Sequence, residues 1–282
     1  MEWRAKNFSF RFPRRPLVMG ILNVTPDSFS DGGCFLDPGF AVDRAFRMLE
    51  EGMDILDLGG ESTKPGAIPV EEREELRRVL PVLERLAGRF PIPVSVDTRK
   101  AQVAKEVLEA GASIINDIEA TRGSESMWRA VADSGAGYVA MHMQGTPLTM
   151  QSQPTYGDVV AEIGAFFSEA LVGLKEAGVD PEQVALDPGI GFGKTVDQNL
   201  KLLAGLEVYN RQRRPVVIGV SRKSFLGKIA GGDAGERLPA ALACTVHAAS
   251  QGCSVFRTHD VLETVRALRM WEALAGRPSE DM

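Results

Sequence analysis

The sequence predicts an α/β protein with a single (β/α)8 TIM barrel, for three reasons. Eight short runs rich in Val and Ile alternate with longer helical patterns from residue 16 almost to the chain end. Each run is almost continuously apolar, as strands buried on both faces of a parallel sheet are. No linker rich in Gly, Ser and Pro divides the 282 residues, and such a barrel usually takes ~250 residues. The alternative, an open doubly wound sheet, usually has fewer strands in one domain.

The predicted elements follow in order along the chain. Residues 1–15, with the alternating run FSFRF, are predicted to form a short N-terminal extension whose strand closes the barrel floor, so that residues 1–282 make one domain. The predicted strands span residues 16–24, 53–60, 93–97, 113–118, 138–143, 184–188, 215–221 and 255–260. The helical patterns include residues 70–88, 100–111 and 261–276. In the first helix, Glu74 and Arg78 are predicted to pair on an exposed, solvated face.

Composition and charge exclude several classes of protein. With 44% hydrophobic and 25% charged residues, the chain is typical of a soluble globular protein. A formal charge of -6 argues against a general binder of nucleic acid or anionic membranes. No apolar run reaches the roughly 18 residues that a membrane span needs. Three cysteines at irregular spacing favour reduced thiols in the cytoplasm.

Polar side chains follow the predicted strands, and a barrel of this kind carries its chemistry at the carboxyl ends of the strands. One set offers two carboxylates, an amide and an ammonium, which suits a flat heterocycle with N–H donors and a carbonyl; its members are Asp97, Asn116, Asp187 and Lys223. A second set suits an anion and a metal facing an amide oxygen; its members are Asn23, Thr63, Lys64, Arg257 and His259. The strand ends therefore predict a ring end and a phosphate end.

The run LDPGIGFGK at residues 186–194 is similar to a phosphate-binding loop but does not match one. Pro188 stands where the first glycine of the P-loop pattern would be. The alternate glycines are instead predicted to bring the backbone close to a planar ligand, with Phe192 free to pack against it. We interpret the run as a pocket wall.

The order of the motifs resembles the dihydropteroate synthase family from residue 16 to about residue 275. The matching motifs are NVTPDSFSDGG, LGGESTKPGA, VSVDT, IIND, MHMQG, LDPGIGFGK, GVSRKSFLG and FRTHD. The resemblance implies a (β/α)8 barrel, a transferase of folate biosynthesis and a target of sulfonamides. Such an enzyme joins 6-hydroxymethyl-7,8-dihydropterin diphosphate to 4-aminobenzoate and releases diphosphate. The resemblance also implies Mg2+ as cofactor and a homodimer formed through the late helices.

The resemblance assigns roles residue by residue. It implies that Asp97, Asn116, Asp187 and Lys223 hold the pterin, with Met141 packing on it. It implies that Asn23 contacts Mg2+ and that Thr63, Arg257 and His259 hold the diphosphate. Arg257 is also expected over the pterin face, and Asp97, Lys223 and Arg257 are the expected catalytic residues. The implied neighbours of the aminobenzoate pocket are Phe192, Lys223, Ser224, Pro65 and the loop residue Phe29.

One departure and two alternatives remain. The second loop of the family usually carries arginine where this chain has Lys64, so that a bidentate phosphate contact becomes a point-charge contact. A corrinoid-linked methyltetrahydrofolate methyltransferase would need the ring set but not Arg257 and His259. A non-catalytic pterin-binding protein is the other alternative. Since no Ser-His-Asp or Cys-His arrangement is recognisable, His142 and His247 are predicted to be packing or hydrogen-bonding residues.

Overall fold

We describe a computed structural model of the chain, which covers residues 1–25, 37–120 and 125–276. Strands in these residues are β1 (Glu2–Ala5), β2 (Phe8–Arg11), β3 (Leu17–Asn23), β4 (Ile55–Gly59), β5 (Val94–Asp97), β6 (Ile114–Asp117), β7 (Gly137–Met141), β8 (Val184–Asp187), β9 (Val217–Gly219) and β10 (Val255–Thr258). Helices are α1 (Pro38–Glu50), α2 (Glu72–Leu86), α3 (Ala101–Glu109), α4 (Glu125–Ser134), α5 (Val159–Glu176), α6 (Val196–Ala204), α7 (Ser224–Ala230), α8 (Leu238–Ser250) and α9 (Val261–Leu274).

Strands β3 to β10 form one parallel sheet that curves into a barrel. Their order is β8-β7-β6-β5-β4-β3-β10-β9. A parallel bridge between Leu186 and Val216 joins the two outer strands, and Leu186 N donates to Pro215 O over 2.9 Å. Helices follow the strands, as a barrel with helices on its outer face requires. The predicted barrel is therefore confirmed, with each of its eight predicted strands present and slightly shorter at the ends.

The N-terminal residues form a strand pair beneath the barrel. β1 and β2 are antiparallel, with Trp3 opposite Phe10. Trp3 Nε1 donates to Gln183 O over 2.9 Å, immediately before β8. Apolar side chains of this pair share a buried cluster with residues near the starts of the barrel strands, namely Leu17, Met19, Ile55, Ile114, Val139, Ala185, Val217 and Val255. The pair thus lies at the amino ends of the strands, which leaves the carboxyl ends for ligands.

Helix α2 differs from its predicted description. Its apolar stripe packs as expected, with Val79, Leu83 and Leu86 buried. The pair of Glu74 and Arg78 forms at 2.8 Å, but the Arg78 side chain is only 10% exposed. Arg78 also donates to Gly60 O over 2.8 Å, which draws it against the end of β4. The prediction of an exposed pair was therefore wrong.

In the residues described, no helix is long and apolar enough to cross a membrane.

Candidate active site

The carboxyl ends of the barrel strands carry a cluster of buried polar side chains. Asp97 ends β5 and Asp187 ends β8, and Asn116 lies opposite Asp97 in the register of β5 and β6. All three are at most 6% exposed. Lys223 follows β9 and Arg257 lies in β10. The structure thus brings the predicted ring-binding set to one end of the barrel.

Arg257 lies at the centre of this cluster. Its Nη2 donates to Asp97 Oδ2 over 2.7 Å, and its Nε donates to Asp57 Oδ2 over 2.6 Å. Asn116 Nδ2 also donates to Asp57 Oδ2, over 3.2 Å. The sequence places Arg257 in the phosphate set, yet here it contacts a carboxylate of the ring set. The two sets are joined at Arg257 and do not form separate sites.

Burial shifts the pKa values of the groups around this arginine toward neutral pH. Burial raises the pKa of Asp97 to about 7, although the attraction of Arg257 opposes the shift and Asp57 adds to it. Burial likewise raises the pKa of Asp187, against the hydrogen bond from Gly189 N. Burial and the neighbouring Arg257 lower the pKa of Lys223 to about 7. Perturbed groups of both signs in one cleft are typical of a functional site.

An apolar surface adjoins the charged cluster. The Lys223 ammonium lies 3.7 Å from the centre of the Phe192 ring, within cation–π range. Phe192 belongs to a small buried cluster with Ile118, Met141, Met143 and Met150. Met141 and Phe192 were predicted site residues, whereas Met143 and Met150 were not recognised. Flexible methionines beside a ring are suited to packing on a flat aromatic ligand.

The glycines of residues 186–194 are required by neighbouring protein atoms. A Cβ at Gly189, where φ is +67°, would lie 1.9 Å from His142 O. A Cβ at Gly193 would lie 2.5 Å from Gln144 O, and one at Gly191 would lie 2.9 Å from Lys223 Cδ. The contacts described are therefore with the segment after β7 and with Lys223, so the reason predicted for the glycines, approach to a ligand, is replaced by a structural one.

Lys194 points into this loop. It is only 3% exposed, and its Nζ donates to Phe192 O over 2.8 Å and to Gly189 O over 3.0 Å. It also shares a hydrogen bond of 3.1 Å with His142 Nδ1. Burial lowers the pKa of Lys194 to about 7. The lysine of GFGK thus binds its own loop, and the interpretation of this loop as a pocket wall stays a prediction.

His142 and His247 make the packing and hydrogen-bonding contacts that the sequence predicts for them. The His142 ring meets Phe166 edge to face at 4.8 Å between ring centres. Burial and the nearby Lys194 lower the pKa of His142 to about 3. His247 Nε2 lies 3.1 Å from Leu203 O.

Two residues predicted for the phosphate end, Asn23 and His259, also lie at carboxyl ends of barrel strands. Asn23 ends β3, and a Cβ at Gly59 on β4 would lie 2.9 Å from Asn23 Oδ1, so glycine leaves room for the amide. His259 shares a hydrogen bond of 3.0 Å between its Nδ1 and Ser221 Oγ. Burial lowers the pKa of His259 to about 3, with repulsion from Arg222 and Arg257 adding to the shift.

The loop after β4 carries the remaining predicted contacts. Thr63 is half-buried, while Lys64 and Pro65 are exposed. Gly66 N donates to Pro147 O over 3.0 Å, which joins this loop to the one after β7. Ser224 begins α7 and is exposed. Phe29 lies outside the described residues.

A buried ion-pair network lies where the loop after β4 begins. Glu61 and Glu75 are 8% and 1% exposed, and the Lys100 ammonium pairs with both carboxylates. Glu61 also accepts from Arg99 Nε over 3.2 Å and from Val70 N over 3.3 Å. The charges of α2 were predicted to be solvated, so the buried position of Glu75 was not recognised. Its only signal was that Glu75 falls on the same face as Val79 and Leu86.

Comparison with known proteins identifies the family. Residues 19–259 match the family model described as "Pterin binding enzyme". The chain is 48% identical to the dihydropteroate synthase of Escherichia coli (strain K12) over 258 residues, covering 92% of this chain and 91% of that protein. The chain belongs to the dihydropteroate synthase family of pterin-binding enzymes.

Solved dihydropteroate synthase structures have the same fold. The Yersinia pestis enzyme with a sulfonamide drug complex is 44% identical and superimposes with a TM-score of 0.92, covering 98% of this chain and 100% of that one. The Xanthomonas albilineans dihydropteroate synthase with 4-aminobenzoic acid is 42% identical, with a TM-score of 0.91 and coverage of 99% and 100%. The same enzyme has been solved in complex with 7,8-dihydropteroate, at a TM-score of 0.88, 39% identity and coverage of 99% and 100%. The likeness thus extends over almost the whole barrel.

Proposed function

We propose that the protein joins 6-hydroxymethyl-7,8-dihydropterin diphosphate to 4-aminobenzoate and releases 7,8-dihydropteroate and diphosphate in folate biosynthesis. The observation that carries this proposal is the cluster of buried Asp97, Asn116 and Asp187 with half-buried Lys223 around Arg257 at the carboxyl ends of the strands. It offers acceptors for ring N–H groups, a donor for a ring carbonyl and a cation for the leaving group. The Xanthomonas albilineans dihydropteroate synthase was solved with 4-aminobenzoic acid and in complex with 7,8-dihydropteroate, and these two structures are 42% and 39% identical to this chain.

We assign ring binding to the carboxylates, the amide and the ammonium. Asp97 and Asp187 accept N–H groups of the pterin, and Lys223 donates to its carbonyl. Asn116 uses its Nδ2 on Asp57, so its amide oxygen is available to accept from the ring. Met141, 3% exposed in the apolar cluster, packs on the ring.

The reaction needs little from the enzyme except charge and position. The bond between the pterin CH2 and the diphosphate oxygen breaks, and the electron-rich ring delocalises the positive charge that develops. Carboxylates beside the ring stabilise this charge because they are already held in place. The neutral amine of 4-aminobenzoate then forms the new C–N bond and loses one proton. This order of events requires no covalent intermediate on the enzyme.

We place the diphosphate against Arg257, His259 and Thr63. Arg257 has a planar guanidinium suited to phosphate oxygens. Before the diphosphate binds, burial holds the pKa of His259 at about 3, and its ring is neutral near pH 7. We assign His259 as a hydrogen-bond donor to the diphosphate. Lys64, exposed on the loop after β4, adds a positive charge where the family usually has arginine.

Mg2+ fits the phosphate end. Asn23 Oδ1 is the protein ligand that we assign, and the space left by Gly59 keeps this oxygen at the strand end. The described residues contain no group of three or more His, Cys, Asp or Glu side chains placed to hold a metal ion. Mg2+ tolerates such a site because it commonly binds through one or two protein oxygens, water and substrate phosphates. When bound, it neutralises charge on the departing diphosphate.

We place the aminobenzoate beside Phe192, Pro65 and Ser224, on the side of the pterin where Lys223 crosses the Phe192 ring.

We further propose a homodimer through the late helices, because Ile229, Met270 and Leu274 of α7 and α9 are 55%, 59% and 76% exposed. Light scattering that gives twice the chain mass supports this assembly, and the mass of one chain refutes it.

We also propose that the protein is cytoplasmic, because the free thiols of Cys244 and Cys253 are typical of a reducing compartment.

A diphosphate-release assay tests the proposed function. Pure protein is incubated with the pterin diphosphate, 4-aminobenzoate and Mg2+, and each component is omitted in turn. We expect release only in the complete mixture, and a large loss of rate in excess chelator. Undiminished product formation in chelator would remove Mg2+ from the proposal. Absence of product from the complete mixture would leave a non-catalytic pterin-binding protein.

A further inference from the structure

Asp57 is a buried carboxylate in the middle of a barrel strand. It lies in β4 between Leu56 and Leu58, and it is 0% exposed. Its Oδ2 accepts from Arg257 Nε over 2.6 Å and from Asn116 Nδ2 over 3.2 Å. Its Oδ1 has no hydrogen-bond partner among the described residues and is also buried. A carboxylate in such a place is costly unless it is paired, so its pairing with Arg257 is a principal feature of the site.

Arg257 reaches Asp57 from two strands away. In the sheet, β3 lies between β10, which carries Arg257, and β4, which carries Asp57. The same guanidinium extends to Asp97 on β5, where Nη2 donates over 2.7 Å. The Arg257 side chain is 14% exposed and the Asp97 side chain 6%, whereas Asp57 has no exposed surface. Asp57 therefore fixes the inner edge of the guanidinium, and Asp97 holds one of its outer nitrogens.

The two carboxylates differ in what a ligand can reach. Asp97 lies at the end of β5, and in the proposed function it accepts N–H groups of the pterin ring. Those donors compete with Arg257 Nη2 for Asp97. Asp57 lies below this level, so a bound ring leaves its contact with Nε in place. Ring binding then frees an outer nitrogen of an arginine whose inner edge stays fixed.

We propose that Asp57 is a positioning residue: it fixes Arg257 by Nε and Asn116 by Nδ2, so that a ring bound at Asp97 turns the outer nitrogens of Arg257 toward the leaving diphosphate. This inference rests on the proposed function. The ligand that engages both groups is a ring with N–H donors joined to a diphosphate. Asp57 itself touches neither part, and it acts through Arg257 and Asn116.

The test compares Asp57→Asn with wild type and with Ser95→Ala. Ser95 is a matched control because it lies opposite Asp57 in the register of β4 and β5, is 0% exposed and has a buried Oγ without a hydrogen-bond partner among the described residues. Calorimetry measures the affinity for 6-hydroxymethylpterin and for its diphosphate. The ratio of the two affinities is the gain that the diphosphate group gives. We expect this gain to fall about tenfold in Asp57→Asn, the loss typical of one charge-assisted hydrogen bond. Ser95→Ala should keep it.

A double-mutant cycle separates this role from a merely structural one. Because Asp57 acts through Arg257, Asp57→Asn should lower kcat about tenfold in wild type and have little further effect in Arg257→Gln. Equal effects in the two backgrounds, or an unchanged diphosphate gain in Asp57→Asn, would overturn the inference. If wild type forms no dihydropteroate, the proposed function fails; if it does and Asp57→Asn matches it, only this inference fails.

A measurement on wild type covers the case in which Asp57→Asn does not fold. Nitrogen-15 spectra of arginine side chains, with the Arg257 signal assigned from Arg257→Lys, report Nε–H and the outer nitrogens separately. On addition of 6-hydroxymethylpterin, the Arg257 Nε–H signal should stay at its position and remain protected from exchange, while the outer nitrogens shift. Loss of the Nε–H protection on ring binding would overturn the inference.

Discussion

Asp97 and Asp187 are the residues on which ring binding depends most directly, because each is a buried carboxylate at the end of a strand. We predict that Asp97→Asn and Asp187→Asn each weaken pterin binding by about 2 kcal/mol or more, since each loses a charge-assisted pair of contacts. Calorimetry measures the effect, and the exposed Asp197→Asn in α6 is the control. Wild-type affinity in both variants would remove these carboxylates from the ring site.

Lys194 is a second residue with a specific expected effect. Replacement by Met removes the Lys194 donor from Phe192 O and one of the two donors of Gly189 O, which still accepts from Phe192 N. An unsatisfied buried acceptor costs about 1 to 3 kcal/mol. Because Phe192 lies in the same loop, Lys194→Met should raise the KM for 4-aminobenzoate more than the Kd for the pterin. Exposed Lys201→Met is the control. Equal losses for both substrates would show that the loop supports the whole site.

Some of the site residues were predictable from the sequence, and others were not. Asp97, Asn116, Asp187, Lys223 and Arg257 were predicted because each lies in the last two residues of an apolar strand or after it, where a barrel presents its side chains. Asp57 was missed because it lies inside a strand, and its partner Arg257 is 200 residues away in the chain. A single charge within an apolar run was the signal that could have found it.

At the scale of elements, the eight strands were predictable because burial on both faces makes a parallel strand apolar throughout. Helix α2 was predicted less well. Periodicity identifies its apolar stripe, but it cannot show that Lys100 of the next βα unit lies against Glu75 and Glu61. The partners of buried charges come from tertiary packing, so amphipathic patterns alone assign them to solvent.

The Lys100 network leads to a prediction for the loop after β4. Lys100→Met leaves two buried carboxylates without their ammonium, and breaking a buried pair costs about 3 to 5 kcal/mol. We expect a lower free energy of unfolding in urea and a slower turnover, because Glu61 also accepts from Val70 N at the end of the loop. Lys105→Met, at an exposed position of α3, is the matched control. Wild-type stability in Lys100→Met would contradict the network's role.

At the scale of the whole molecule, two histidines buried in neutral form each lower the stability in mild acid, whereas Asp97 has the opposite effect because burial raises its pKa to about 7. The pKa of His142 is about 3, lowered by burial and by Lys194, whereas in an unfolded chain it is about 6.5. Between these two values, the His142 side chain binds more protons in the unfolded chain than in the folded one. This side chain therefore lowers the free energy of unfolding as pH falls through this range. His259 behaves in the same way.

Urea unfolding at pH 7 and at pH 5 measures this contribution. At pH 5 each such histidine costs about 2 kcal/mol of stability. In His142→Gln we expect the difference between the two pH values to be smaller than in wild type by about that amount. Identical pH dependence in the two proteins would show that His142 is protonated in the folded state.

In the proposed function, the two substrates are joined at the mouth of the barrel. The most direct measurement is dihydropteroate formation, with diphosphate measured in the same samples, by wild type and by Lys223→Gln at equal concentrations of folded protein. We predict equal amounts of the two products from wild type. For Lys223→Gln we predict a rate lower by about a hundredfold, because a half-buried ammonium that faces Phe192 and is proposed to contact the pterin is lost. Undiminished product formation by Lys223→Gln, or none by wild type, would contradict the account.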